Sequence, residues 1–425
     1  MKAAIVLGKL ALAVSLTFSL VILFGACDNP AGPSSSEMAS QLYSMEVSDA
    51  TLLFVADTNN ISSSSFGPLS NSRGLYKRNE NGHVQRVRGR NMADEEVNVP
   101  APSRIITVDE RYLIMVLDGT AYLISRTNER IYSMASVGLP ADNQAFGGRD
   151  VYTDSAGNIY FMSSGNVFKV DVSNPDNMTA TEYSPSIDTV YNFSVDSDGN
   201  MLYRHNSRFG ARIRFAGGGL HNLPDTEGAR SISYYGWTGY DGKLYAIKNI
   251  HGLGTADFLR WDFDGEGNLN QVKLSGASQH QSPLTFYLLE DTIVIKNTGH
   301  PTRFSIVYRK GLEPQVIETD DPLGSTVEPE KVMNIGREMV VLADNNRIYS
   351  LDLGTLNASE IYSNSSGEYD FMDIFLASTE ELYFNALAMS TASVVNGMIA
   401  LPIGDLTILE ESSAYNSTTY VFAEL

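Results

Sequence analysis

The stretch that decides the fold is Asp196–Tyr203, with the sequence DSDGNMLY. It is typical of a tight turn leading into a strand, because Asp and Asn hydrogen-bond to their own main chain and Gly accepts a positive φ. The same phrase returns at Asp154–Tyr160 (DSAGNIY) and, in shorter form, at Asp241–Tyr245 (DGKLY). The glycines of the three copies, at positions 157, 199 and 242, lie 42 to 43 residues apart. That spacing is the period of a four-stranded propeller blade.

The rest of the chain from residue 42 onward is a series of short alternating strands broken by Gly, Asn, Asp and Ser. No segment shows a sustained helical period, so parallel βαβ units are not expected. We therefore predict an all-β fold, a β-propeller of four-stranded blades. Eight blades are favoured, with seven as the alternative if the first and last units share one blade. A β-sandwich is the rival architecture, but it does not explain the regular spacing of the turns.

The strands at the two ends of this repeat region predict how the ring closes. The first unit is predicted to hold four strands: Leu42–Val47, Thr51–Ala56, Gly74–Arg78 and Val84–Val87. A last strand, Thr419–Ala423, is left over after the eighth unit. We expect it to pair with a strand of the first unit, because both would otherwise present unpaired edges.

The N-terminus reads as a secretion signal over residues 1–26. Lys2 and Lys9 precede an apolar run, Leu10–Phe24, which is short for a membrane span. The following Gly-Ala-Cys resembles a bacterial lipobox, although Phe24 stands where Leu is usual. The resemblance implies cleavage before Cys27, the single cysteine, and lipid attachment (diacylation, for example by palmitate) at its sulfur. The alternative is an uncleaved membrane anchor.

A polar linker separates this signal from the repeats. Residues 27–41 are rich in Pro, Gly and Ser and have almost nothing to bury, which indicates a flexible tether. The predicted domains are therefore the signal peptide 1–26, the lipid-anchored tether 27–41 and the propeller 42–425. The expected location is the bacterial cell envelope, on the inner or outer membrane, facing the periplasm or the cell surface.

The net charge of the chain limits the classes of partner that are expected. The net charge is −20 and the pI is about 4.7. An acidic chain repels phosphate backbones and anionic lipid headgroups, so nucleic acid is not expected as a partner. We expect membrane contact through the lipid anchor instead.

The motifs that could carry chemistry are weak. Asp196–Asn200 and Asp262–Asn268 look like calcium loops, but an EF-hand needs Glu at the twelfth position, where these have Ser207 and Lys273. No two of the six histidines have metal-ligand spacing, and no nucleophile elbow, Walker loop or dinucleotide fingerprint occurs. We predict no catalytic, metal or cofactor residues, and no cofactor. Histidines in separate loops could still meet at one end of a propeller, which sequence cannot test. The histidines are His83, His205, His221, His251, His280 and His300.

Aromatic residues are the remaining candidates. Tyrosines recur at equivalent hairpin positions, which favours packing between blades over a site. A less regular cluster could face a sugar or peptide, but core packing is the preferred interpretation. The recurring residues are Tyr160, Tyr203, Tyr245 and Tyr383, and the irregular cluster is Tyr234, Tyr235, Trp237 and Tyr240.

The hairpin phrase and its period resemble bacterial β-propeller lipoproteins, and the D-x-x-G-N turns are similar to those of the NHL and calcium-dependent lactonase propellers. The lactonase ligands do not align here. The propeller lipoprotein of the outer-membrane β-barrel assembly machine is similar in its lipid anchor and blade count. It carries a Thr-Gly and Trp signature that this chain lacks, so its role is not implied.

The expected function is binding. We expect a lipid-anchored scaffold that recognises a protein or an envelope ligand, including a glycan, through propeller loops, because loops tolerate variation while the blades stay rigid. At least one of three insertions is predicted to make such a contact: Asn59–Arg73, Asn91–Pro102 or Asn249–Ala256. The alternative is a propeller hydrolase, a lactonase or glycan-active enzyme, with its active site at one end of the axis.

Overall fold

The computed structural model is built almost entirely of antiparallel strands. Among the residues it describes there are 36 strands, one 3-10 turn at Pro175–Asn177 and no α-helix. The described residues are 42–57, 73–138, 140, 150–184, 188–205, 210–239, 241–251, 255–263, 269–275, 284–288, 292–297, 303–309, 317–320, 331–335, 339–344, 347–352, 358–363, 368–378, 381–390, 393–400, 405–412 and 422–424.

Seven sheets follow the chain order strand by strand, each a meander of four strands or, in one case, five. The first three sheets are β7 (Arg104–Thr107), β8 (Tyr112–Leu117), β9 (Thr120–Ser125), β10 (Ile131–Ser133); β11 (Val151–Thr153), β12 (Ile159–Ser163), β13 (Asn166–Asp171), β14 (Thr179–Glu182); and β15 (Asn192–Val195), β16 (Met201–Arg204), β17 (Arg212–Arg214), β18 (Leu220–Asn222).

The next four sheets continue the series. They are β19 (Thr226–Glu227), β20 (Arg230–Thr238), β21 (Leu244–Ile250), β22 (Thr255–Phe263), β23 (Leu269–Ser275); β24 (Leu284–Leu288), β25 (Thr292–Asn297), β26 (Arg303–Arg309), β27 (Ile317–Asp320); β28 (Lys331–Ile335), β29 (Met339–Asp344), β30 (Arg347–Asp352), β31 (Ala358–Ser363); and β32 (Tyr369–Ser378), β33 (Glu381–Ala388), β34 (Ser393–Ala400), β35 (Asp405–Ser412).

An eighth sheet joins the two ends of the chain. It has the order β36 (Phe422–Glu424), β2 (Ala50–Asp57), β3 (Arg73–Asn79) and β4 (Val84–Arg86). The pairing of β36 with β2 brings Ala423 opposite Leu53 and Phe422 opposite Phe54. The predicted closure of the first unit by a C-terminal strand is thus confirmed for Phe422 and Ala423.

The inner strands show how the sheets are arranged. The first strand of one sheet contacts the first strand of the next, as β11 does with β15, β24 with β28 and β28 with β32. In the five-stranded sheet the second strand, β20, takes this position and contacts β15. The closing strand β36 likewise contacts β7. Four-stranded meanders that meet at their first strands form a β-propeller, as the sequence predicted. The number of blades, eight or seven, stays a prediction.

The prediction for the first unit was wrong at its N-terminal strand. Since β36 occupies the edge of β2, residues 42–45 form a strand, β1 (Leu42–Met45), that pairs instead with β5 (Arg88–Asn91). β5 pairs in turn with β6 (Glu96–Asn98). These three strands form the accessory sheet, which stands outside the meander series.

Two of the predicted insertions are hairpins rather than irregular loops. Asn91–Pro102 contains β6, and only Met92–Glu95 forms the turn before it. In Asn249–Ala256 the ladder continues between β21 and β22, with Asn249 opposite Ala256. Of the third insertion, Asn59–Arg73, all but Arg73 lies outside the described residues.

The Asp-rich phrase forms the turn that its sequence predicted. Gly199 has a φ of 84°, a conformation that a side chain would strain. The buried Asp196 carboxylate accepts hydrogen bonds from the N–H of Asn200 (2.7 Å), the N–H of Asp198 (3.0 Å) and Asn200 Nδ2 (2.9 Å). Asp154 holds Asn158 in the same way, at 2.9 and 2.7 Å. The turn that links the first strand of a blade to the second is thus held by hydrogen bonds to its own Asp side chain.

The recurring tyrosines lie in the packing between strands, as predicted. All four are buried, and Tyr160 and Tyr203 belong to one apolar cluster with Phe193 and Met201. The hydroxyl of Tyr160 donates to Asp154 Oδ2 (2.8 Å). Tyr160 therefore ties the core to the Asp154 turn.

The predicted signal peptide and tether, with Cys27, lie outside the described residues. Within the part that is described, no helix is long and apolar enough to span a membrane.

Candidate functional site

Two of the histidines lie at the same end of neighbouring sheets. His205 follows β16 and His251 follows β21, so both sit at the end of the disc opposite the Asp turns. Burial and then the charge of Arg204 lower the pKa of His251. The Arg204 guanidinium stacks on the ring of Tyr235, with its carbon 5.4 Å from the centroid. His83 and His221 are exposed elsewhere, and His280 and His300 lie outside the described residues.

The carboxylate nearest to His205 is already engaged. Asp188 is buried and accepts hydrogen bonds from the Tyr203 hydroxyl (2.9 Å) and from Arg212 Nη1. Burial, followed by the charge of Arg212, lowers the pKa of His205, whose Nδ1 lies 4.0 Å from Asp188 Oδ1. The imidazole is therefore neutral at pH 7. This network fastens the segment before β15 to the blade.

A serine and a histidine form the closest approach to a catalytic pair. Ser233 Oγ lies 2.8 Å from His251 Nε2, a distance suited to a nucleophile and its base. Ser233 is, however, only 2% exposed, and it sits on β20 directly opposite Asn249. The contact is thus a diagonal hydrogen bond across two strands, with the serine enclosed by the blade.

The residues considered for metal binding, where the structure describes them, do not gather into a site. Among the residues described, no group of three His, Cys, Asp or Glu side chains could hold an ion. Asp262 instead accepts hydrogen bonds from Lys243 Nζ (2.7 Å) and Arg260 Nη2 (2.9 Å). In the irregular aromatic cluster, Tyr234 and Trp237 are buried, as core packing predicts.

One concave surface formed by described residues lies beside the accessory sheet. It has a volume of about 320 Å³ and is open to solvent. We call it the groove. Its walls come from the accessory sheet, the outer strand β10 and the 3-10 turn that precedes β14. The lining residues are Leu42, Tyr43, Met92, Arg130, Ile131, Tyr132, Ser133, Ser136, Pro175, Asp176, Asn177 and Met178.

Arg130 organises the centre of the groove. Its guanidinium carbon lies 5.4 Å from the ring centroid of Tyr43 and 5.3 Å from that of Tyr132. Its Nη2 donates to Asp176 Oδ1 at 3.1 Å. The rings and the carboxylate hold the guanidinium in place. They link the accessory sheet to the sheet β7–β10 and to the sheet β11–β14.

Hydrogen bonds from β1 and from the residues just after it hold the turn before Arg130. Glu129 has a φ of 60°, in the left-handed region that is uncommon for its residue type. Its carbonyl accepts from the N–H of Met45 (2.9 Å), and its carboxylate accepts from Ser48 N–H (3.1 Å) and Ser48 Oγ (2.6 Å). Ser44 and Arg130 form an isolated bridge beside these bonds. β1 and β10 therefore begin to pair there, and the groove lies where they separate.

Large apolar side chains stay exposed at the rim. Met92 is 76% exposed at the tip of the β5–β6 hairpin, and Tyr43 is 41% exposed on β1. The side chain of Asn91 accepts from the N–H groups of Ala93 (3.0 Å) and Glu95 (2.9 Å), which fixes that hairpin turn. Sequence reasoning placed an insertion here, and it missed Tyr43 because that residue was assigned to a blade.

Comparison with known proteins identifies no relative by sequence. No family model matches the chain, and no curated protein matches it. Among solved structures, it is similar to a streptogramin B lyase (12% identity, 73% of this chain and 94% of that chain, TM-score 0.38). It is also similar to the dihydro-heme d1 dehydrogenase NirN (13% identity, 79% and 81%, TM-score 0.39). A third is the WD40 domain of SCAP from fission yeast (11% identity, 63% and 66%, TM-score 0.40).

Proposed function

We propose that this chain is a lipoprotein of the bacterial cell envelope whose propeller binds a protein or an envelope ligand at the groove. The observation that carries the proposal is the groove itself. It is built from a sheet outside the blade series, and that sheet leaves Tyr43 and Met92 exposed at its rim. Tyr, Met and Arg are the residue types enriched at recognition surfaces.

The proposed lipid anchor would keep the groove near the membrane. The tether 27–41 leads directly into β1, whose Leu42 and Tyr43 line the groove. A flexible chain of this length spans roughly 20 Å. Anchorage at Cys27 would therefore hold the groove close to the membrane surface, in reach of membrane proteins and of the envelope material beside it.

Photo-crosslinking in the native host tests this function. A photoreactive amino acid replaces Tyr43 in one variant and Tyr191 in a matched control, since Tyr191 is also exposed (55%) but lies outside the groove. We expect an adduct with an envelope component at position 43 and none of the same kind at position 191. Equal adducts at both positions, or none at position 43, would contradict the proposal.

A hydrolase is the second candidate, and only the contact between Ser233 and His251 favours it. A fluorophosphonate probe reacts with an activated serine when the hydroxyl proton passes to the adjacent imidazole. Labelling of the native protein that is lost in Ser233→Ala would support a hydrolase. The enclosure of Ser233 leads us to expect no labelling.

A further inference from the structure

We propose that the groove binds a neutral glycan chain. This inference deepens the binding function proposed above and rests on it. It follows from the balance of charge in the groove, from its mixture of apolar and hydroxyl-bearing walls, and from its open shape.

The charge of the groove is internally balanced. Arg130 carries the positive charge at its centre, and Asp176 lies against it at 3.1 Å. The Tyr43 and Tyr132 rings cover the guanidinium at 5.4 and 5.3 Å. The whole chain is strongly acidic, at −20, so an anionic ligand would also meet general repulsion. A neutral ligand matches this site better than an ion does.

The walls are amphipathic in the way that a sugar ring is. Tyr43 and Met92 supply exposed apolar surface on one side. Ser133, Ser136 and Asn177 are exposed on the others and offer hydroxyl and amide groups that both donate and accept hydrogen bonds. A sugar ring presents C–H groups on its faces, which pack on an aromatic ring, and hydroxyls around its edge. Its two kinds of surface thus have matching partners in the groove.

Size and shape favour a chain over a compact metabolite. A volume of about 320 Å³ is at the lower end for small-molecule sites and suits one or two sugar rings. Half of the twelve lining residues are exposed, so both ends of a bound oligosaccharide can continue into solvent. A closed pocket would be expected for a free monosaccharide.

An extended peptide fits less well. Peptides that add to a sheet edge depend on a run of main-chain hydrogen bonds. Two short edge strands line the groove, β10 with three residues, Ile131–Ser133, and β1 with four, Leu42–Met45. Arg130, just before β10, already forms a bridge with Ser44 of β1. Too little edge remains for a stable added strand.

Calorimetric titration of the purified, tag-free mature protein tests the inference, with chitotetraose and cellotetraose as probes. The two share ring form and linkage and differ in their N-acetyl groups. We expect at least one to bind, with binding weakened about tenfold or more in Tyr43→Ala because the aromatic contact is lost. The matched control Tyr191→Ala should bind as the native protein does. Unchanged urea unfolding of both variants shows that each is folded.

Salt dependence adds a second readout. A neutral glycan should bind with the same affinity at about 50 and about 500 mM salt, because no ion pair is screened. Absence of binding to both probes up to about 10 mM, or binding that Tyr43→Ala leaves unchanged, would overturn the glycan assignment. If the crosslinker at position 43 captures a protein while neither probe binds, the glycan assignment fails and the binding function stands.

Discussion

The main-chain N–H of Ser197 donates a hydrogen bond of 2.8 Å to the carbonyl of Gly242, across the boundary between two blades. The N–H of Ser155 makes the equivalent bond, 2.7 Å long, to the carbonyl of Ser197. The Asp turns of three successive blades are thus joined in a line. Each turn closes its own hairpin and also holds the next blade. A substitution that disrupts one turn should therefore destabilise the neighbouring blades as well.

The first prediction concerns the middle turn of that line. Asp196→Ala removes an acceptor of three hydrogen bonds and leaves the two donors of Asn200 buried. We expect the free energy of unfolding to fall by about 1–3 kcal/mol at pH 5, measured by urea titration. The matched control is Asp198→Ala, which changes an exposed residue of the same turn and should cost less than about 0.5 kcal/mol. Equal losses in both variants would show that the buried carboxylate has no special role.

The second prediction is a pH dependence from the same residue. Burial raises the pKa of Asp196 to about 6 from its ordinary value near 4. The folded state therefore retains a proton that the unfolded chain has released, so this contribution to stability is present below about pH 4 and is lost as the pH rises through about 6. Compared with Asp196→Asn, which does not titrate, the native protein should lose on the order of 1–3 kcal/mol between pH 4 and pH 7. Urea unfolding at intervals of one pH unit measures this difference, and a relative gain with rising pH would contradict it.

The third prediction concerns closure of the ring. Removal of residues 422–425 takes away β36 and leaves the edge of β2 unpaired. We expect a loss of about 2–4 kcal/mol, from a few main-chain hydrogen bonds and the packing against β7. Thermal unfolding measures the effect, with deletion of four residues from the tether, 34–37, as the control of equal length. Identical melting of the two truncated proteins would show that β36 does not hold the ring.

The fourth prediction concerns the support of the groove. A Cβ at Gly89 would lie 2.8 Å from the carbonyl oxygen of Ser44 and 2.9 Å from Leu42 Cδ2, so Gly89→Ala must displace β1. We expect a cost of about 1–3 kcal/mol and weaker ligand binding, because Tyr43 moves with its strand. Gly217→Ala is the control, since nothing lies within 4 Å of a Cβ there. Urea unfolding and the glycan titration together measure the two effects.

The fifth prediction concerns Cys27. If its sulfur carries lipid, the mature native protein begins at Cys27 and partitions into detergent, and Cys27→Ser leaves a form that is water-soluble or uncleaved. Phase partition and intact mass in the native host provide the measurement. An unmodified cysteine in the native protein would refute lipid attachment.

The features that could be predicted from the sequence are those set by local chemistry or by a general rule. Asp196 and Gly199 specify their turn through side-chain hydrogen bonds and a positive φ, and the same turn recurs at a fixed period. The closing strand followed from the need to cover two edges. Neither step required knowledge of distant contacts.

The features that could not be predicted depend on competition between distant segments. β1 was assigned to the first blade because its residues suit a strand there, and only the C-terminal strand excludes it. The groove was missed for the same reason. Tyr43, Arg130 and Asp176 lie far apart in the chain, and no local pattern indicates that they meet.

The pairing of β2 with β36 also constrains the order in which the protein can fold. Leu53 pairs with Ala423, which is synthesised 370 residues later, so the sheet that contains β2 cannot be completed until the chain is almost finished. Contacts of such sequence separation form slowly, and until then the edge of β2 can pair with other chains. If the chain is exported as proposed above, its N-terminal part arrives first, and the edge of β2 stays open until residues 422–424 follow.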